Sequence, residues 1–489
     1  MRSKSRFIAV TAVVAAALAV ATVVVHRQSK SPLLIAYWWF GATVIMVCLL
    51  SFVKGRSFQH LPVAPGRTVA IIPSYEEPME NLHRTVRALL DQTHPIDEIH
   101  VIDDGSVDYP VVPFNHPRVF WHRQENTGKR GAQVTVLRRL QNEGKHFDFV
   151  LTIDSDGEPF PDALEQQLRA MSNPKIQATT GMIYIRNYDE TWVSRAADID
   201  IGTSCVMMRA SRSMLGALET TSGALALYRA KLLYDHLDAY AVECGTGDDR
   251  WLALRALMRG EVVAVNEAGV ITDMPTTLKK TYRQRLRWAR SWWWMLPFVF
   301  TRLSVKQLVS PTYGLMSLVI TPVMLIWSAV LLAMTASNRY SDPFVPLVYI
   351  TTYVTVRFGQ SALYLMLRPD MSFRQKLRSW LLGTLGAIYM NVVLLMPTRY
   401  WALFKLRDNA WQSRGLTKKV NLSSGGRHRV VKQGKKKRKN PPRSLTSAIP
   451  QQRVDDTVPL RTVRLLDPWA ENTTEIPLPT TNIRGGTTD

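Results

Sequence analysis

The sequence predicts a polar α/β domain, built on a mostly parallel sheet, inserted between two groups of membrane-spanning helices. Three observations carry that prediction. Long uncharged apolar runs stand at both ends of the 489-residue chain's ordered-looking part. A polar block of mixed charge, long enough to bury a core of its own, lies between them. Inside that block, short β-branched runs alternate with segments whose apolar residues recur at helical spacing, the pattern of strands and covering helices.

Residues 7–25 and 33–53 are each close to the roughly 20 residues that cross a hydrocarbon core. The first is too long for the apolar part of a cleaved signal, and a second span follows it directly. Arg2, Lys4 and Arg6 precede this hairpin and Lys54, Arg56 and Arg67 follow it, so both its ends face the cytoplasm by the positive-inside tendency. Further apolar spans cover 311–334, 343–367 and 379–406. Three late spans would leave the C-terminus outside, whereas its basic residues argue for inside. The expectation is therefore a re-entrant hairpin or two short broken helices within 379–406, or a deeper insertion of 292–304. The tail is cytoplasmic on this reading, and the host is the plasma membrane.

Within the block, 68–73 reads as a buried strand and 80–90 as a helix. Residues 99–103 form the next strand and 119–122 a third, 128–143 a second helix, and 149–153 a further strand. Ligands of such sheets bind beyond the carboxyl ends of the strands. Those ends carry Ser74-Tyr75-Glu76-Glu77, Asp103-Asp104 and Asp154-Ser155-Asp156. The boundaries that follow are 1–54 for two N-terminal spans, 55–275 for the cytoplasmic domain and 276–305 for an amphipathic interfacial region. C-terminal spans occupy 306–406, and a closing motif with a basic, disordered tail occupies 407–489.

The formal charge of +22 comes largely from the region after Arg283 and from the tail. Beside membrane spans, the run Lys435-Lys436-Lys437-Arg438-Lys439 reads as a solvated topological anchor or as attraction to anionic lipid, not to nucleic acid. The three cysteines (Cys48, Cys205, Cys244) suit a reducing compartment and have no metal-ligand spacing.

Chemistry enters with the carboxylates. Asp154 and Asp156, two apart on extended backbone, can share one hard cation, Mg²⁺ or Mn²⁺, with the phosphates of a substrate. Asp248-Asp249 follows Gly245-Thr246-Gly247 and opens an amphipathic stretch; Asp249 suits a general base, with Asp248 and Arg250 in support. Residues 282–294 read as a helix on which Gln284 and Trp288 lie one turn apart. There Arg287 can engage a diphosphate, and Trp292, Trp293 and Trp294 suit a membrane interface. Asn126-Thr127-Gly128-Lys129 turns into a helix start, a favourable place for an anion.

Taken together, these motifs resemble the processive family 2 glycosyltransferases, membrane synthases of hyaluronan, chitin and cellulose, over roughly residues 66–415. The likeness is strongest to hyaluronan synthases and chitin-oligosaccharide synthases. It rests on Ser222-Gly223 within 221–229, on Gly247-Asp248-Asp249-Arg250, on Gln284, Arg287 and Trp288 as Q-x-x-R-W, and on Trp411 and Arg414 near the end. The resemblance implies a GT-A domain, the nucleotide-diphospho-sugar transferase fold, on a membrane channel. It implies Tyr75, Glu77 and Asp104 at the uridine of a UDP-sugar, Lys129 at the nucleotide or its phosphates, Asp154 at the donor and Asp156 at the metal. Asp249 would be the base, Gln284 and Arg287 would serve the donor, and Ser222, Gly223 and Trp288 the growing polysaccharide. Trp411 and Arg414 would help close the site. Two departures, Ala224 for a usual proline and Gln412-Ser413 for Gly-Thr, bear on product identity.

The expected activity is inverting polymerisation of UDP-sugars with secretion of the product. Hyaluronan is the first expectation and a chitin-like or β-glucan product the alternative. A non-catalytic membrane scaffold would carry a broken motif, and none of these motifs is broken.

Overall fold

The computed structural model describes residues 2–28, 32–53, 57–245, 247–340, 344–406, 411–412 and 417–418. Two helices, α1 (Arg2–Gln28) and α2 (Pro32–Val53), pack against each other, and Trp38 Nε1 donates to Thr22 Oγ1 across the pair at 2.9 Å. The chain then enters the polar block through β1 (Thr68–Ser74), α3 (Met79–Leu90), β2 (Glu98–Asp103) and β3 (Val119–Arg123). Next come α4 (Lys129–Asn142), β4 (Phe149–Thr152), β5 (Glu158–Pro159), α5 (Ala163–Met171) and β6 (Ile176–Ile185).

A long helical excursion follows, α6 (Trp192–Ile201) running through a π-helical segment (Gly202–Met207) into α7 (Met208–Met214). The block closes with β7 (Ala226–Arg229), α8 (Ala230–Tyr234), α9 (Leu237–Glu243), α10 (Asp248–Arg259) and β8 (Glu261–Thr272).

These strands form one sheet in the order β3-β2-β1-β4-β7-β6-β8-β5. Its first four strands are parallel, as the sequence predicts. The other half is mixed, because β7 returns antiparallel between β4 and β6, and β5 pairs antiparallel with β8. Alternate residues of β1 explain how the sheet is covered. Val69 and Ile71 face a core that includes Leu137 of α4 and Trp251 of α10, whereas Ala70 and Ile72 face Leu82 and Val86 of α3 and Leu168 of α5. Both faces are apolar, so helices must cover both.

Chain order reverses between β1 and β4, which makes their carboxyl ends the ligand crevice of this sheet. The register Thr152↔Ala226 matters as much. It brings the residues just before β7, Ser222 and Gly223, back to the same end of the sheet as Asp154.

After the block, α11 (Leu278–Arg302) leads to α12 (Val309–Ala336) and α13 (Phe344–Met366), and α13 packs on both α2 and α12. The last helical run, Phe373–Phe404, contains α14 (Phe373–Arg378), α15 (Thr384–Met390) and α16 (Met396–Phe404), joined by two π-helical segments. This continuous run replaces both the re-entrant hairpin and the two short broken helices expected within 379–406. The π turns absorb the irregularity without breaking the chain's helical hydrogen bonding, which membrane depth requires. Pro32–Ser51, Val309–Ala336 and Phe373–Phe404 are long and apolar enough to cross a membrane, and Thr11–Arg27 is a shorter apolar run. The molecule is a membrane protein.

The proposed closing motif falls largely outside the described residues. Trp411 lies in β9 (Trp411–Gln412), paired antiparallel with β10 (Thr417–Lys418), and Arg414 is not among the described residues.

Candidate active site

Three polar clusters meet where β2, β1 and β4 end. Beyond β1, Tyr75 is half-buried, and Glu77 is buried with its two oxygens committed. Glu77 Oε1 accepts from Asn81 Nδ2 at 2.9 Å and Oε2 from Ser155 Oγ at 3.0 Å, tying the β1 end to the Asp-Ser-Asp turn. Asp104, also buried, accepts from the backbone N–H of Thr127 (2.9 Å) and Gly128 (2.6 Å) and from Gln124 Nε2 (2.7 Å). Its carboxylate therefore shapes the loop that starts α4.

Between Tyr75 and Glu77 stands a residue to which sequence reasoning gave no role. Glu76 has φ +50°, a left-handed backbone that a non-glycine residue adopts only under constraint. Its buried carboxylate supplies the constraint, accepting from the N–H groups of Val107 (2.7 Å), Asp108 (3.0 Å) and Tyr109 (3.1 Å). The unusual φ is invisible in sequence, where Glu76 reads as one more acidic residue in a turn.

At the centre, Lys129 Nζ lies 2.6 Å from Asp154 Oδ1 and 3.5 Å from Asp248 Oδ2. Burial alone would lower the pKa of this ammonium, but Asp154, Asp248 and Asp249 outweigh it and hold the group well above the ordinary lysine value. Gly223 faces the same cluster. A Cβ there would sit 2.6 Å from Lys129 Nζ and 3.2 Å from both Asp154 Oδ2 and Asp249 Oδ2. A side chain here would have to push the end of Lys129 aside.

Asp249 is the perturbed acid of the set. Burial first, and then the charge of Asp248, push its carboxyl up to about 7 against the opposing pull of Lys129. Its backbone is anchored as well, since Thr221 Oγ1 donates to Asp249 O at 3.0 Å and shares a 2.6 Å hydrogen bond with Tyr228 OH. Arg250 turns away to Glu219 at 3.0 Å. The buried Ser222 hydroxyl accepts from the Ala224 N–H at 3.2 Å, a contact that a proline at 224 could not make.

Gly247, just before α10, touches α11; a Cβ on it would lie 2.0 Å from Ser291 Oγ. That close approach packs α11, which carries Gln284, Arg287 and Trp288, against the start of α10. Gln284 Oε1 is buried without a hydrogen-bond partner among the described residues, and Arg287 and Trp288 are half-buried. The tryptophan run departs from a purely interfacial role. Trp293 Nε1 donates to Arg399 O of α16 at 2.8 Å, whereas Trp294 is half-exposed.

Trp288 also borders a cavity of about 350 Å³ between α2, α6, α7, α11, α12, α13 and the last helical run. Four arginines line it, Arg212, Arg285, Arg357 and Arg399, with Asp200 as the one carboxylate among the lining residues.

Among the described residues no three His, Cys, Asp or Glu side chains gather into a ready-made metal cage. The half-buried Asp154 and Asp156 nevertheless fit a hard cation that takes its remaining ligands from a diphosphate, since both offer only carboxylate oxygen at a strand end.

Residues 65–291 match a family model described as "Glycosyltransferase like family 2". A hyaluronan synthase of Streptococcus pyogenes serotype M3 is 27% identical over 402 residues, covering 78% of this chain and 91% of the relative. An N-acetylglucosaminyltransferase of Rhizobium meliloti is 29% identical over 378 residues, covering 73% of this chain and 83% of the relative. Among solved structures, the mannosyltransferase PcManGT from Pyrobaculum calidifontis, in complex with GDP-Man and Mn²⁺, is similar with 17% identity and a TM-score of 0.44. That likeness covers 77% of this chain and 99% of the mannosyltransferase. Residues 65–291 carry a family 2 glycosyltransferase domain, an α/β fold flanked by apolar helices, and the chain is an enzyme of that kind.

Proposed function

We propose that this enzyme is a processive, inverting polysaccharide synthase that extends a chain from UDP-sugars on the cytoplasmic side of the plasma membrane and passes the product through its own helices. The observation that carries the proposal is the arginine-lined cavity that Trp288 shares with the apolar helices α2, α12 and α13. An enzyme that transfers one sugar and releases it has no use for such a passage. Its four arginines against one carboxylate favour a glycan that carries negative charge, so hyaluronan, made from UDP-GlcNAc and UDP-glucuronate, is the product proposed. The 29% identical N-acetylglucosaminyltransferase supports a second reading, a chitin-like oligosaccharide made from UDP-GlcNAc alone.

In the proposed mechanism Tyr75, Glu77 and the wall shaped by Asp104 receive the uridine. Asp154 and Asp156 would hold Mg²⁺ or Mn²⁺, which neutralises charge on the departing diphosphate. Lys129, Gln284 and Arg287 orient the donor. Ser222, Gly223 and Trp288 place the acceptor sugar. Asp249 takes the proton of the acceptor hydroxyl as its oxygen attacks the anomeric carbon. The bond from that carbon to the β-phosphate oxygen breaks, its electron pair leaves with UDP, and an α-linked donor gives a β-linked product. Trp411 and Arg414 are assigned to closure of the site.

The test is incorporation of labelled sugar by purified protein in detergent with either metal, offered UDP-GlcNAc alone, UDP-glucose alone, or UDP-GlcNAc with UDP-glucuronate. Polymer formed only from the pair, and digested by hyaluronidase, is the expected result. Polymer from a single donor would replace hyaluronan with a chitin-type or glucan product. Absence of polymer under all three conditions would overturn the synthase reading.

A further inference from the structure

One ion pair in the wall of the cavity has no part in the chemistry described above. Asp200 of α6 places Oδ2 2.9 Å from Arg285 NH2, and both side chains are more than nine-tenths buried. The same guanidinium lies over the indole of Trp288, 4.3 Å from the ring centroid. Asp200, Arg285 and Trp288 all line the cavity. Arg285 Nε is buried without a hydrogen-bond partner among the described residues, and so is Oε1 of its neighbour Gln284. Arg285 occupies one of the two unspecified positions of Q-x-x-R-W, so the motif gives it no duty.

We infer that Asp200 is a positioning residue for elongation, holding Arg285 flat against one face of Trp288 so that the indole offers its other face to the growing glycan. The inference rests on the synthase reading. A tryptophan beside an open cavity has several ring orientations, and covering one face with a planar cation removes most of them. Asp200 is needed because a buried guanidinium without a counter-charge would turn toward water or toward an anionic product. Neutralising Arg285 also leaves Arg212, Arg357 and Arg399 as the net positive charge of the passage. Three polar atoms here lack a hydrogen-bond partner among the described residues, the acceptor Gln284 Oε1 and the donors Nε and Nη2 of Arg285, and an acceptor with a donor is what a sugar hydroxyl can satisfy.

The experiment uses the full chain in detergent with both UDP-sugars and measures mean product length at equal amounts of UDP released. Asp200→Asn should shorten the product about tenfold, the effect of a desolvated cation–aromatic contact in the middle of its usual range. Asp200→Glu should keep long product. The double variant Asp200→Asn with Arg285→Gln removes both charges at nearly constant volume, so it avoids an unpaired buried cation. It should also make short product, because the stack is gone. Wild-type length from the double variant would overturn the inference, since the pair would then be serving only the fold. Unchanged length in Asp200→Asn would overturn it too. If the wild-type chain makes no polymer, the synthase reading fails and takes this inference with it, an outcome distinct from long polymer in the variants.

Discussion

Asp249 has two measurable properties that follow from one cause. Its carboxyl is buried beside Asp248, and both effects disfavour the anion. Catalysis needs that anion, so kcat/KM for the donor should climb with pH on a limb centred near 7. Stability should move the opposite way. A carboxyl whose folded pKa exceeds its unfolded value near 3.9 favours folding when protonated, and that contribution is lost as pH rises through about 7. Asp249→Asn should therefore lower turnover by about 100- to 10,000-fold, the usual worth of a general base. In thermal unfolding, its melting temperature should exceed that of the wild type more at pH 8.5 than at pH 5.5. Gly223→Ala tests the crowding at the same centre. The added methyl must displace Lys129 from Asp154, so UDP release should fall by about tenfold or more with the melting temperature little changed, a loss of transition-state contacts alone.

At the level of elements, the β1–α3 connection is held by a strained residue that captures a distant loop. Glu76 accepts from three successive N–H groups of 107–109, and its own N–H donates to Ser106 Oγ at 2.9 Å. Glu76→Ala frees that loop and leaves the left-handed backbone without its compensation. The KM for UDP-sugar should rise about tenfold, since hydrogen bonds to a carboxylate contribute roughly 1.5–3 kcal/mol as a group of this kind. Steady-state titration of the donor measures it, and an unchanged KM would remove the loop from the donor pocket. Strand ends and acidic turns were legible from alternation and punctuation. The antiparallel return of β7 was not, because a four-residue apolar strand carries no sign of its direction.

Across the whole molecule, a buried knot helps join the catalytic domain to the apolar helices. Arg368, just beyond α13, donates to Asp198 of α6 at 2.5 Å, to both oxygens of Asp370 at 2.8 and 2.7 Å, and to Ile185 O at 2.9 Å. Tyr364 OH bonds the same Asp198 oxygen at 2.7 Å. Arg368 and Asp198 are wholly buried, so removing one partner strands a charge in low dielectric. Arg368→Met should destabilise the fold by about 3–5 kcal/mol, and adding Asp198→Asn should recover much of the loss. Thermal unfolding in detergent compares the two; equal melting temperatures for Arg368→Met and the wild type would show that the knot contributes nothing to docking.

The sequence by itself determined the parallel half of the sheet, the apolar helices and the positions of the carboxylate clusters. Each depends on local chemistry: β-branched runs that must be buried, spans without charge, and acidic turns at strand ends. Tertiary structure alone decided how those pieces combine. It brought Gly223 within a methyl's width of Lys129, Asp154 and Asp249, and it paired Asp200 with Arg285 across 85 positions of chain. It also drew a continuous helical run from Phe373 to Phe404 where the basic tail's expected side of the membrane argued for a break. Contacts between residues far apart in sequence leave no periodic trace, because the partner of a buried charge is chosen by packing and not by spacing.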